Sequence, residues 1–183
     1  MILHWRQLVL HFGPEIDAYR HHFEVAGRAT FGLLCCRFTP DDDRLDQSAG
    51  DHAEARLLQS VNWRTQLPQA LAAWTPYNSP IVVAMVINRS PCQNCAELLI
   101  AALSDLSRRF PAAVEANRFI LASRGAYEDA AMRVATRQVD LVGLRDAGWE
   151  LCVLQTGGEL SARGDILREG IERVAGRGYV RLG

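Results

Sequence analysis

Two short segments of the sequence, well separated along the chain, carry side chains that together could hold a metal ion. The first reads His52-Ala53-Glu54 and the second reads Pro91-Cys92-Gln93-Asn94-Cys95. One imidazole and two thiolates supply three ligands to a tetrahedral Zn²⁺ and leave the fourth position open to water. The carboxylate of Glu54 lies two residues beyond the imidazole, where it can move protons beside the metal without binding it. The pattern therefore predicts a catalytic metal centre with the ligands His52, Cys92 and Cys95.

Each half of this pattern has ordinary explanations when it stands alone. A Cys-x-x-Cys pair can be a redox pair, half of a zinc finger or two unrelated core residues, and His-x-Glu is common by chance. A structural zinc would need a fourth protein ligand, and the nearest candidates, Cys35 and Cys36, lie in an apolar run where small core residues are expected. Both halves occur in order, separated by one predicted helix and one predicted strand, which favours the catalytic interpretation.

A strand and two helices must position these ligands. Residues 81–87 form an apolar run of strand length with prolines before and after it, which predicts a buried central strand. A helix is predicted over 92–109, so that Cys92 and Cys95 share one face of its first turn. The N-terminus of that helix favours their thiolate forms. His52 opens the other helix, with Asp51 available as its N-cap.

The remaining segments predict strands and helices in alternation. Residues 2–12 are apolar and either helical or extended, and residues 39–50 predict a polar loop. The other elements have apolar periodicity or clear turn boundaries: a short helix at 15–23, a hairpin of strands 23–26 and 30–38, helices at 66–74, 128–147 and 165–175, and strands at 118–123 and 149–154. The long connections between strands imply right-handed β-α-β units and a mixed sheet between helices.

Length and composition are typical of one globular domain. The chain has 183 residues, of which 49% are hydrophobic and 22% are charged. We see no apolar run of membrane-spanning length and no signal-peptide pattern. The three cysteines outside the predicted centre lie in apolar surroundings, so we expect a reducing, cytoplasmic site of action.

The charge argues against avid, non-specific binding to nucleic acid. The net charge is −1, whereas counterion release needs many cations on one face. All 20 basic residues are arginine, the side chain that best matches phosphates and base faces, although codon bias explains this composition more simply. Any nucleic-acid-binding groove must therefore be confined to a small part of the protein surface.

The sequence resembles the cytidine deaminase superfamily over residues 30–154, and within it the AID/APOBEC-like and bacterial toxin-type nucleic-acid deaminases. His-x-Glu followed by Pro-Cys-x-x-Cys is the signature of zinc-dependent nucleobase deaminases. Segments similar to the polynucleotide-acting branch are Ser90-Pro91-Cys92, Cys95-Ala96, Phe119-Ile120-Leu121-Ala122-Ser123-Arg124, Tyr127 and Leu144-Arg145-Asp146-Ala147-Gly148. The sequence departs from that branch where Arg89 replaces a tryptophan and where Tyr127 is the one aromatic residue retained in its loop.

The resemblance implies a single zinc-dependent deaminase domain over residues 1–183, with a recognisable core over 23–155. Its fold would be α/β, a three-layer α/β/α sandwich around a mixed five-stranded sheet whose last two strands are parallel. It also implies one Zn²⁺ per chain, with Glu54 as the catalytic proton carrier. The expected reaction is hydrolytic deamination of cytosine to uracil in nucleic acid, with single-stranded DNA favoured over RNA.

The resemblance and the neighbouring polar residues also suggest substrate contacts. The candidates are Tyr127, Ser90, Arg89, Asn78, Asn88 and Ala53. Tyr127 would stack on the target base or its neighbour, or would simply be a half-buried loop residue. Arg89 would contact a phosphate, or cap a strand at the surface. Asn78 and Asn88 would hydrogen-bond the ribose or the base, or would form turns.

Related functions stay open at this point. An adenosine deaminase acting on tRNA or DNA would use the same metal chemistry. A free nucleoside or nucleotide deaminase is disfavoured by the helix predicted before the last strand, and a non-catalytic, zinc-stabilised nucleic-acid-binding module would have no use for Glu54. The Ser-Pro-Cys form would fit a domain of a larger secreted toxin, with an immunity protein as its partner. No membrane partner is expected.

Overall fold

A computed structural model of the chain describes residues 1–24, 30–50, 52–126 and 140–175. In these residues, a mixed six-stranded sheet is covered by helices on both faces, which makes the fold α/β. The strands are β1 (Ile2–His4), β2 (Phe31–Thr39), β3 (Asp42–Ala49), β4 (Val82–Ile87), β5 (Arg118–Ser123) and β6 (Glu150–Gln155). Their spatial order is β1-β6-β5-β4-β2-β3.

The helical segments of the described residues alternate with these strands. They are α1 (Trp5–Phe12), a 3₁₀ helix (Pro14–Tyr19), α2 (His21–Glu24), α3 (Ala53–Leu57), a π-helical turn (Asn62–Gln66), α4 (Leu67–Ala73), α5 (Gln93–Arg109), α6 (Pro111–Ala116), α7 (Leu141–Asp146) and α8 (Ala162–Ala175). Within the same residues, no helix has the length and hydrophobicity needed to span a membrane.

Strand pairing divides the sheet into a parallel and an antiparallel part. Strands β4, β5, β6 and β1 run parallel to one another, whereas β2 is antiparallel to both β3 and β4. The predicted parallel pairing of the last two strands is therefore confirmed. The sheet has six strands where five were predicted, because β1 and β3 were not predicted and the strand predicted at 23–26 is not among the six. Strand β1 pairs along the outer edge of β6. The apolar segment 2–12, left undecided by the sequence, is a short strand followed by a helix.

The two faces of the sheet bury two separate apolar clusters. Along β2, Leu33 and Cys35 belong to the cluster beneath α1, whereas Leu34 and Cys36 belong to the cluster beneath α3, α4 and α5. Successive residues of a strand point to opposite faces, so a nearly continuous apolar run is required when both faces are covered. The continuous apolar character of this segment in the sequence is explained by that coverage.

Two predicted elements before the metal ligands are wrong. Residues 39–50 do not form a loop, because β3 occupies most of them and pairs with β2. The strand predicted over 23–26 is wrong for its first two residues, because Phe23 and Glu24 belong to α2. Residues 25–29 lie outside the described residues. The charged sequence of β3 is compatible with an edge strand, where solvent reaches the side chains. Its Asp43 forms a two-bond ion pair with Arg37 of β2 at 2.7 Å.

Two predicted helix ends also need comment. The sequence predicts that Pro111 ends the helix begun at the cysteines, and α5 does end at Arg109, but Pro111 then begins α6. A proline is well tolerated in a first helical turn because its missing N–H would be unpaired there. The predicted helix 128–147 is seen only as α7, since residues 127–139 lie outside the described residues. Gly148, with φ +106°, ends α7 as predicted.

Gly32 of β2 lets α3 lie close to the sheet. It pairs with Ile87, the last residue of β4. A Cβ atom placed on Gly32 would lie 3.0 Å from Leu57 Cδ1, 3.1 Å from Ile87 Cγ2 and 3.6 Å from Ala53 Cβ. Leu57 and Ala53 both belong to α3, the helix that carries Glu54 and follows His52. A side chain at position 32 would therefore require the side chains of Leu57 and Ile87 to shift, and a larger one would press on α3.

We expect Gly32→Ala to displace α3 slightly and Gly32→Val to displace it more. Overpacking of a core contact costs about 1–3 kcal/mol, so thermal unfolding should show a graded loss of stability. Zinc affinity, measured by competition with a chromophoric chelator, should fall in the same order because His52 moves with α3. Unchanged zinc affinity in a folded Gly32→Val protein would show that α3 does not set the position of His52.

Candidate metal centre

The three predicted ligands converge where β4 ends and α5 begins. The Nδ1 atom of His52 lies 3.2 Å from Sγ of Cys95 and 3.6 Å from Sγ of Cys92. The ligand atoms of all three residues lie within 4.8 Å of one another. In a tetrahedral zinc site, with bonds of about 2.0 Å to nitrogen and about 2.3 Å to sulfur, the nitrogen and each sulfur lie about 3.5 Å apart. The group could therefore hold a metal ion with little movement of the side chains.

The two cysteines are held by the first turn of α5. Cys92 is the N-cap residue, with extended backbone (φ −71°, ψ 170°), and Cys95 lies three residues later in the same turn. The carbonyl of Cys92 accepts a 2.9 Å hydrogen bond from the N–H of Ala96. Helix α5 is 17 residues long, and the positive end of its dipole favours anionic ligands at this terminus. The predicted placement of both thiols is confirmed.

His52 has an unusual backbone conformation for its residue type. Its φ of 57° and ψ of 50° lie in the left-handed region, which non-glycine residues adopt at an energetic cost. His52 is itself the N-cap residue of α3, and its carbonyl accepts a 3.1 Å hydrogen bond from Ala55 N–H. The sequence predicts Asp51 as the N-cap, and that residue lies outside the described residues. With this backbone conformation, the imidazole of His52 lies against the thiols at the start of α5.

Arg56 forms a hydrogen bond to the backbone that precedes His52. Its guanidinium donates a 2.7 Å hydrogen bond to the carbonyl of Ala49, the last residue of β3. Gly50, with φ +102°, adopts a conformation that other residues rarely reach, and a Cβ placed on it would lie 3.3 Å from the Arg56 side chain. The imidazole position thus depends on a strand, a glycine turn and a short helix acting together.

Glu54 is almost completely buried beside the ligands. Its exposed fraction is 3%, and its carboxylate lies next to the Cys95 thiol. Burial raises the pKa of Glu54 above its usual value. Interactions with its own backbone N–H, with Cys95 and with the charge of His52 lower the pKa and offset part of that rise. The carboxylate is therefore within reach of the centre and shielded from bulk water, as a proton carrier requires.

Burial differs greatly among the three ligands. His52 is exposed, Cys92 is half-buried and Cys95 is buried with 2% exposure. Burial raises the pKa of Cys95, and the neighbouring Glu54 and Cys92 add to that rise. The raised pKa favours the protonated thiol of Cys95. A bound metal ion would instead favour the thiolate, because cysteine binds metals in that form. The exposed side, at His52, is the side from which an ion or a substrate could approach.

Two of the predicted substrate contacts lie close to the ligands. Ala53 is buried at the start of α3, against the sheet at Gly32. Ser90 is also buried, with 3% exposure, and its backbone N–H donates a 2.7 Å hydrogen bond to the carbonyl of Gly125. Arg89 is half-buried in the same connection between β4 and Cys92. Arg89 and Ser90 thus belong to the connection that leads into Cys92, whereas Ala53 follows His52 in α3.

Asn88 and Asn78 occupy opposite ends of β4. Asn88 extends the pairing of β4 with β2, since its N–H donates to the Phe31 carbonyl at 3.1 Å and its Oδ1 accepts from Phe31 N–H at 3.0 Å. Asn78 precedes β4 and closes a turn with Thr75, whose N–H and hydroxyl donate to its Oδ1. The six residues of β4 span about 20 Å, so Asn78 is remote from the centre. Tyr127 lies outside the described residues.

No pattern in the sequence indicates that the start of α8 contacts the loop after β5. The N–H of Ala126, just after β5, donates a 3.0 Å hydrogen bond to the carbonyl of Arg163. A Cβ placed on Gly125 would lie 2.9 Å from Arg163 Cβ, so this contact requires glycine. A glycine directly after a predicted strand is a weak signal of close packing, but it does not identify the packing partner.

No model of a known protein family matches the chain, and no curated protein matches it in sequence. The candidate metal centre is therefore described by its own geometry and donor atoms. One imidazole nitrogen and two sulfurs form a soft donor set that suits zinc among the common divalent metals.

We expect one zinc ion per chain in wild-type protein purified without chelator. Cys92→Ser and Cys95→Ser should each reduce the zinc content by more than half, because the remaining two ligands bind weakly. Elemental analysis of the purified proteins measures this directly. Cys152→Ser, which alters a buried thiol on the opposite face of the sheet, is the matched control and should keep its zinc. Full zinc occupancy in both ligand variants would rule out this centre.

The cysteines should also differ in reactivity. Burial raises the pKa of Cys152 to about 11 and raises the pKa of both Cys35 and Cys36. Since the thiolate is the reactive form, these three thiols should resist iodoacetamide at pH 8, and Cys152 should react faster only as the pH approaches 11. In chelator-treated native protein, the half-buried Cys92 should be alkylated first, and added zinc should protect it. Peptide mass spectrometry would measure each site, and labelling of Cys92 unaffected by zinc would contradict its assignment as a ligand.

Proposed function

We propose that this protein is a zinc-dependent hydrolase that deaminates cytosine to uracil in single-stranded nucleic acid, with DNA as the favoured substrate. The observation that carries this proposal is the convergence of His52, Cys92 and Cys95 beside the buried carboxylate of Glu54. A closed structural zinc site needs four protein ligands. The ligand group found among the described residues has three members, which suits a site with one position open to a reactant.

The arrangement of strands supports the same proposal. A parallel β5–β6 pair requires a crossover connection, and α7 lies in it. We propose that the sheet and its helices form a cytidine-deaminase-like α/β/α sandwich to which β1 is an addition. In such a sandwich, the open side of the metal centre lies at the carboxyl end of β4. This end is a common place for ligands in α/β sheets.

The residues of the centre divide the chemical work between them. Zinc, when bound, would act as a Lewis acid that lowers the pKa of water towards about 7. Glu54 takes a proton from the attacking water and delivers it to the ring nitrogen N3 of the base. The water oxygen bonds to C4, and Glu54 then carries the proton of the resulting C4 hydroxyl to the exocyclic amino group. The bond from C4 to that nitrogen breaks, the C4 carbonyl forms and ammonia leaves. Cytosine and water thus become uracil and ammonia, with Glu54 restored to its carboxylate form.

The burial of Glu54 suits this role. Its carboxylate lies next to a ligand and away from bulk solvent, so a proton that it accepts can pass to the substrate before it exchanges with water. The exposed imidazole of His52 marks the side on which the base would enter. A base must leave its stack to reach such a site, which explains why a single-stranded substrate is favoured.

We expect Glu54→Gln to lower deamination by at least about 100-fold, the usual contribution of a positioned acid–base group. Its zinc content should remain one per chain, because Glu54 is not a ligand. Uracil formation in a cytosine-containing single-stranded oligonucleotide would be measured by base excision and strand cleavage. Glu97 is exposed and lies on the same helix as Cys95. Glu97→Gln is therefore the matched control and should retain wild-type activity. Retained activity in Glu54→Gln would overturn the assigned role.

The same assay distinguishes the related functions. Zinc-loaded wild-type protein would be incubated with five kinds of substrate in turn: single-stranded DNA, double-stranded DNA, RNA, adenine-containing oligonucleotides and free cytidine. Uracil formation in single-stranded DNA above all others is the expected result. Inosine formation would instead identify an adenosine deaminase, and activity confined to free cytidine would identify a nucleoside deaminase. Full zinc occupancy without activity on any of these substrates would argue against the proposed function.

A further inference from the structure

A cavity of about 560 Å³ opens at the end of the sheet remote from the metal centre. Two buried residues line it from the sheet, Phe38 of β2 and Ile81, which precedes β4. Helix α4, the π-helical turn before it and the loop from α4 to β4 supply most of the other lining residues. Ligand pockets commonly measure about 300–1,000 Å³. The cavity is therefore large enough for a small ring compound.

One face of the helical segment leaves the space for this cavity. Gln66, Gln69, Ala70 and Ala73 all line it, and their spacing of three or four residues places them on the same side of a helix. Gln66 ends the π-helical turn Asn62–Gln66, an irregularity that is frequent at functional sites. The two alanines occupy little volume, and the two glutamines bring side-chain amides to the border of the cavity.

Tyr77 presents an aromatic ring at the mouth of the cavity. It is one of the lining residues, and it is 99% exposed, so its ring is not covered by packing against the rest of the described chain. The loop beneath it is nevertheless held in place. The N–H of Asn78 donates to the Thr75 carbonyl at 2.9 Å, and the N–H of Thr75 donates to Asn78 Oδ1 at 2.6 Å. The ring is thus open to a ligand and carried by a hydrogen-bonded turn.

Trp74 supplies a second aromatic ring to the same cavity. The side chain is half-buried, and its indole N–H is buried without an acceptor among the described residues. By contrast, the indole of Trp149 donates to the Leu99 carbonyl at 3.1 Å, and that of Trp5 donates to Asp17 Oδ1 at 2.9 Å. A buried donor without a partner is destabilising. A small rotation of the Trp74 ring would let its N–H meet an acceptor that a ligand brings.

The charge of the lining disfavours anionic ligands. None of the described residues that line the cavity is basic, and the one charged residue, Asp42, is paired with Arg44 at 2.5 Å. The other polar groups of the lining are amides, hydroxyls and the indole N–H. A matching ligand is therefore uncharged, with flat faces for the two rings and hydrogen-bonding groups along its edge.

We propose that this cavity binds an uncharged nucleobase, presented by a free nucleoside or by an unpaired base of a single strand. The rings of Trp74 and Tyr77 stack on the base, an interaction that tolerates any base because every base has a flat face. Gln66 and Gln69 bond to its edge, since a carboxamide offers both donors and an acceptor. The site shares no residue with the metal centre, and the length of β4, about 20 Å, separates the two. It therefore stands independently of the proposed function.

Proton–nitrogen correlation NMR of the zinc-loaded, full-length protein would test the proposal, with thymidine as the probe. Thymidine contains neither cytosine nor adenine, so it is not consumed. We expect a saturable shift of the Trp74 indole N–H signal, which is assigned by its loss in Trp74→Phe. The indole signals of Trp149 and Trp5 should not move, because both groups lie outside the cavity. Thymidine monophosphate should bind no tighter than thymidine, because no cation lines the site.

Two substitutions at exposed positions should weaken thymidine binding by at least about 5-fold each. Tyr77→Ala removes a stacking ring, and Ala73→Leu fills part of the cavity. Since both positions are exposed, the fold should be retained, which thermal unfolding would check. Leu10→Ala removes an exposed apolar side chain from α1, on the opposite face of the sheet. It is the matched control and should bind thymidine like wild type.

An unmoved Trp74 signal, or wild-type affinity in both Tyr77→Ala and Ala73→Leu, would overturn the proposal. Glucose has hydrogen-bonding groups but no flat ring, so binding of glucose as tight as that of thymidine would contradict the assignment to a base. A thymidine hexanucleotide distinguishes the two sources of the base. Affinity equal to that of thymidine would identify a free nucleoside as the ligand. Binding about 10-fold tighter with the same Trp74 shift would identify a base of a single strand, held together with its neighbours.

Discussion

The end of β4 and the beginning of α5 form the junction on which the rest of the centre depends. Cys92 and Cys95 occupy the first turn of a long helix, so their separation and direction follow from helix geometry. The third ligand must then be brought to them from another part of the chain. His52 arrives through a left-handed turn between β3 and α3, and Gly32 allows α3 to lie against the sheet. Small residues and a strained backbone therefore set the position of the imidazole.

The surroundings of the centre combine burial with access. Glu54 and Cys95 are shielded by α3, α5 and the sheet, whereas His52 faces solvent. A buried carboxylate beside metal ligands is costly unless it serves a purpose, because burial disfavours its charged form. Proton transfer at a metal centre is the purpose that we propose. The same side chain would be out of place in a zinc site that only stabilised the fold.

The sequence by itself determined the candidate ligands, the elements β4 and α5, and the α/β class, because these follow from side-chain chemistry and from local periodicity. It did not determine β1, β3 or the contact of α8 with the loop after β5. Strands β1 and β3 are short or highly charged and are defined by hydrogen bonds to distant partners, not by their own hydrophobic pattern. The left-handed conformation of His52 and the opposite placement of Asn78 were likewise decided by the tertiary structure, since both depend on where the strands end in space.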